Sequence, residues 1–224
     1  MPLANLYNNA IAPILEGLEP WGHQYPGLHG PFLLGNVCMG QSPLMIVGQE
    51  TGGWDAYQQG WANQPQPAIA QLMATYNALR PNGQVGGQWA NTPFWWMCNA
   101  VSNHLVGNDA FIWNNLWKFD NNGHALPDDL RDGVLLPWMI QHQVLLTEIA
   151  LTGAKRVLFV TGPASHAALQ HLGLHVNPVN GGHALNLYHV MGDGLPDWAY
   201  VTYHPNYLNF QGLGQQFIQT LGAL

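Results

Sequence analysis

Three short polar segments carry residue types that could do chemistry together. Gly48-Gln49-Glu50-Thr51-Gly52-Gly53-Trp54 brings an acid, an amide and three glycines into seven residues. A carboxylate can orient water or stabilise a cationic centre, and glycine lets a ligand come close to backbone N–H groups. Asn114-Asn115 supplies amides, which present a donor and an acceptor to the polar edge of a heterocycle. His204-Pro205-Asn206-Tyr207-Leu208 supplies an imidazole that can donate to an oxygen gaining negative charge. Each has an ordinary structural use when taken alone: a solvated loop acid, a turn or cap Asn, a His bonded to backbone. The chain has eleven His, so a single one says little.

The elements around these segments give them a common direction. Each follows an apolar run that reads as a strand: 44–47, 110–114 and 198–203, with a further strand over 156–162. Between them the spacing predicts helices over 65–79, 93–106, 134–151 and 163–173, after a first helix over 2–19 and before a last one over 210–223. Residues 185–191 and 198–203 flank a tight turn at GDGLPD, and 81–91 reads as a polar loop. Alternating strands and helices imply an α/β fold. We expect a three-layer α/β/α sandwich around a short, mostly parallel four-stranded sheet. Ligands of such sheets sit at the carboxyl ends of the strands, where the three polar segments fall. No repeat or linker divides the 224 residues, so one domain over 1–224 is expected.

Composition narrows the function. Charged residues make up 8% of the chain, with five Lys plus Arg and a net charge of −7. That is a poor set for neutralising phosphates. Two cysteines, Cys38 and Cys98, provide neither a disulfide framework nor a four-thiolate site, and two buried thiols are expected. There is no signal-like N-terminus and no membrane-length apolar run, so a soluble cytoplasmic monomer with no membrane partner is the expectation. A serine hydrolase is disfavoured because GQSPL at 40–44 precedes a strand instead of following one. A dinucleotide site is disfavoured because no G-x-G-x-x-G follows a strand.

The pattern resembles the uracil-DNA glycosylase superfamily. Its members carry a G-Q-D-P-Y type motif after the first strand, an Asn after the second and an H-P-S-P-L type motif after the last. This chain has GQETGGW at 48–54, FIWNN at 111–115 and HPNYL at 204–208, and VLFVTGPASHAAL at 157–169 is similar to the third strand and its helix. The resemblance spans roughly 43–209. It implies that Glu50 activates water and that the Gln49 backbone contacts the base. It implies that Asn114, or alternatively Asn115, reads the base and that His204 stabilises the departing anion. Leu208 would enter the vacated duplex position, Asn206 would stand in the phosphate-gripping loop, and Phe94 or Trp54 would stack on the base. No cofactor or metal is implied. The expected partner is DNA, possibly single-stranded or modified, or a small molecule containing a nucleobase. Glu50 is one methylene longer than the usual Asp, and Gly53-Trp54 stands where the uracil-excising branch has Tyr-His, so uracil selectivity does not carry over. Two activities follow as expectations: excision of a flipped-out base, or binding of a base, nucleotide or protein without excision.

Overall fold

The computed structural model describes residues 2–40, 42–50, 52, 54, 58, 60–79 and 92–224. Thr51, Gly53, Arg80 and the loop expected over 81–91 lie outside them. Helix α1 (Pro2–Gln24) buries a stripe of Leu3, Tyr7, Ile11, Ile14, Leu15 and Leu18 at helical spacing. It runs past the expected end at 19, straight through Pro20, and Tyr25 N–H closes its last turn on the Trp21 carbonyl at 2.7 Å. A two-residue strand β1 (Leu28–His29) precedes β2 (Leu44–Gly48), every residue of which is buried. Helices α2 (Pro65–Leu79) and α3 (Pro93–Val106) lie where the spacing places them.

Next come β3 (Ile112–Asn115) and β4 (Asp120–Asn121), the latter paired antiparallel with β1. The helix expected over 134–151 is three pieces and a π-helical turn: α4 (Asp128–Leu130), Arg131–Leu135, α5 (Leu136–His142) and α6 (Val144–Thr152). The break falls at Gln143, whose φ of 48° is left-handed. Buried Leu135, Trp138, Met139, Val144, Leu145 and Ile149 continue across it, so apolar spacing alone does not reveal it. The chain continues through β5 (Arg156–Phe159), α7 (His166–His171), β6 (His175–Pro178), β7 (Tyr188–Met191) and β8 (Trp198–Val201). It ends in two helices where one was expected, α8 (Pro205–Phe210) and α9 (Gly214–Gly222).

The main sheet has six strands, not four, in the order β3-β2-β5-β8-β7-β6. The first four are mutually parallel; β7 and β6 extend the sheet antiparallel. Strand β6 was not legible because it is a largely exposed edge, polar and ending in Pro178. The order places β2 inside the sheet, flanked by β3 and β5. Register then decides which face each side chain takes. Met45 pairs with Ile112 and Val47 with Asn114 on one face; Ile46 pairs with Trp113 and Gly48 with Asn115 on the other. The first face meets α1 and α6, and the second meets α3, which also packs on α8 and α9. Cys38 and Cys98 are both buried. No single helix among the described residues is long and apolar enough to cross a membrane.

Candidate active site

A cavity of about 660 Å³ opens at the carboxyl ends of β2, β3 and β8. Gly48, Gln49 and Glu50 enter it from the end of β2, Trp113 and Asn115 from β3, and His204 and Asn206 from the segment after β8. Phe94 and Trp95 from α3 and Trp54 complete an aromatic wall. Gly48 forms the floor: a Cβ there would sit 2.5 Å from the Asn115 amide, so this position has no room for a side chain.

Parity along β3 settles which asparagine belongs to the cavity, and the preferred assignment of Asn114 to base reading is corrected. Asn114 points to the opposite face, fully buried. Its Nδ2 donates to Glu148 Oε2 at 3.0 Å, and its Oδ1 accepts from Lys118 Nζ at 2.5 Å and from the Asn115 N–H at 2.8 Å. Lys118 also bonds Glu148 at 2.6 Å, and Tyr7 donates to the other Glu148 oxygen at 2.7 Å. This closed network is a buried ion pair with every lone pair of the Asn114 amide engaged, a structural arrangement. Asn115 is the cavity residue. Its amide nitrogen donates to the carbonyls of Glu50 at 3.1 Å and Asn114 at 3.0 Å. In that orientation Oδ1 faces hydrogen-bond donors. Two further bonds dock the following turn beside it, from Leu116 N–H to Gly48 O and from Trp117 N–H to Gln49 O.

Glu50 is half-buried, and burial pushes its carboxyl up to about 7. A backbone hydrogen bond from Leu126 and the nearby Arg131 pull the other way, while the Asp120 carboxylate adds to the rise. An acid poised near neutrality can take a proton from water at physiological pH, as a solvated glutamate cannot do efficiently. His204 caps α8: its Nδ1 accepts the Asn206 N–H at 3.3 Å. That bond fixes the neutral tautomer with the proton on Nε2. Burial holds the imidazole below its usual pKa, so at pH 7 it is an uncharged donor. Its ring stacks on Phe94 with centroids 5.4 Å apart and planes 27° apart.

The expected role of Leu208 is also corrected. Pro205 and Leu208 form the buried face of α8, and Leu208 is fully enclosed in the core. The outward residues are Asn206, Tyr207, Asn209 and Phe210. Sequence reasoning missed Trp95 and Trp113 as lining residues. They are core on one side and cavity wall on the other, a duality that aromatic composition does not signal.

Among the described residues, cations are scarce around the cavity. Lys118 is buried in the network, Arg131 is held by Asp128 at 3.0 Å and Asp132 at 2.8 Å, and Arg156 is turned to the Leu105 carbonyl. Among the described residues, no group of three or more His, Cys, Asp or Glu is placed to hold a metal ion. Comparison with known proteins gave no match to any family model, any curated protein or any solved structure.

Proposed function

We propose that the chain hydrolyses the N-glycosidic bond of a nucleobase in DNA, as a protein of the uracil-DNA glycosylase superfamily would. The observation that carries this reading is convergence. Glu50, Asn115 and His204, from the ends of three strands, share one cavity walled by Phe94, Trp95, Trp113 and Trp54. A flipped-out base would be covered by these rings and read on its polar edge by Asn115. As the bond to the sugar breaks, its electron pair passes to the base. The Nε2–H of neutral His204 stabilises the anion, a contribution of about 3–4 kcal/mol for a well-placed donor. The sugar becomes an oxocarbenium-like cation. Glu50, as the carboxylate, stabilises that cation, orients a water and accepts its proton as the oxygen bonds to the anomeric carbon. The products are a free base and an abasic site.

The shortage of side-chain cations supports a single-stranded or otherwise pre-opened substrate over intact duplex, since phosphate contacts supply much of the affinity for duplex DNA. The same shortage favours a second reading, binding of a base or nucleotide without excision. One experiment separates the two. Single-stranded oligonucleotides carrying uracil, hypoxanthine, xanthine or modified pyrimidines are incubated at low salt and pH 6 to 8, and abasic sites are scored. Release of any base supports hydrolysis. Retention of a base-specific affinity with no release across the panel supports binding alone.

A further inference from the structure

Trp113 carries an anomaly that its packing does not explain. The residue is 7% exposed, and its ring meets Phe32 at 4.7 Å and Trp95 at 4.8 Å, as a core tryptophan should. Yet its indole Nε1–H is buried with no hydrogen-bond acceptor among the described residues. An orphaned buried donor costs about 1–3 kcal/mol, and core tryptophans ordinarily find a partner for this group. Trp138 shows the ordinary case: it is 6% exposed, and its Nε1–H donates to the Ala10 carbonyl at 2.7 Å.

The position of the orphan points to a ligand. Trp113 and Asn115 lie two apart on β3 and share the cavity face. The Nε1 atom lies 3.6 Å from where a Cβ on Gly48 would stand, and the Asn115 amide lies 2.5 Å from the same point. The glycine floor is therefore flanked by an unspent donor on Trp113 and by the Asn115 amide nitrogen, which is engaged by the Glu50 and Asn114 carbonyls. We propose that Trp113 is a base-reading residue, its Nε1–H donating to a carbonyl or ring-nitrogen acceptor of a base seated over Gly48 beside Asn115. This rests on the reading that the cavity holds a nucleobase. Such a donor selects a base edge that presents an acceptor beside Gly48, and a base lacking that acceptor would leave the indole unpaired and be bound more weakly.

The test replaces Trp113 with β-(3-benzothienyl)alanine, which keeps the fused-ring shape but has sulfur in place of N–H. Binding of free uracil and free hypoxanthine is measured by calorimetry, together with the melting temperature. We expect binding of at least one base by the wild-type protein, weakened about 10- to 100-fold in the variant, with a melting temperature equal or higher because an orphaned donor has been removed. Equal binding by variant and wild type overturns the role of Trp113 while leaving the base pocket intact. A variant that melts markedly lower also overturns it, because the N–H then serves the fold. Absence of binding of either base to the wild-type protein removes the base-pocket reading itself, and this inference with it.

Discussion

Glu50 and His204 set the pH behaviour of the site. Hydrolysis needs Glu50 ionised and His204 neutral, and burial moves the first up to about 7 and the second below its usual value. We expect kcat/KM for base release to level off above about pH 7, to fall with unit slope just below it, and to steepen toward a slope of about two once the pH drops below the lowered pKa of His204. Stability should run the other way. A carboxyl whose folded pKa exceeds its unfolded value of 4.5 binds the extra proton in the folded state, so stability falls as pH rises from about 4.5 to about 7. Glu50→Gln should therefore be more stable than wild type at pH 8, by about 1–2 kcal/mol after allowing for solvent around a half-buried group, and equal at pH 4.5. Denaturant midpoints at the two pH values check this, and a pH-independent difference would contradict it. Residue types at this site were readable from sequence: acid, amide and imidazole were placed after the right strands. Which amide faces the cavity was not, because the Asn114-Asn115 pair is ambiguous by one residue and one residue exchanges the two faces of a strand. That orientation is fixed by the Lys118–Glu148–Tyr7 cluster, of which Glu148 and Tyr7 lie far from Asn114 in sequence.

At the level of elements, the corrected roles make separable predictions. Asn114→Leu should cost about 2–4 kcal/mol in urea denaturation, because it strips partners from a buried lysine and glutamate. Glu148→Gln, with Lys118 left as an uncompensated buried charge, should cost at least as much. Leu208→Ala should cost about 2–4 kcal/mol by leaving a cavity under α8, and a loss of activity without loss of stability would restore the duplex-entering role that its burial denies it. Gln143→Gly should raise stability by about 1 kcal/mol, since a left-handed φ of 48° is strained for a side chain and free for glycine. Helices α2 and α3 were legible because a proline near each start and a clear apolar stripe mark them. The join at Gln143 and strand β6 were not, the first because burial continues through it and the second because an exposed polar edge carries no alternation.

For the whole molecule, the distribution of charge decides what substrate can be held. Of the described cations, Lys118 is internal, Arg131 and Arg156 are engaged, and Lys155 lies just before β5, at the opposite end of the sheet from the cavity. Nucleic-acid binding should then show a shallow dependence on salt, equivalent to about two phosphates or fewer. Aromatic surface is better supplied: Phe210 is 85% exposed and stands one helical turn beyond cavity-lining Asn206, with Tyr207 also outward. Stacking on these rings would suit an unpaired strand. The low cation count was visible in sequence, but the loss of Lys118 to the interior was not, since nothing local marks a lysine as buried. The most direct measurement of the central claim is single-turnover base release from a single-stranded oligonucleotide by wild type, Glu50→Gln and His204→Ala. We expect abasic sites with the wild-type protein and rates at least about 100-fold lower in both folded variants. Undiminished release by either variant, or no release by the wild-type protein from any base in the panel, would contradict the assignment.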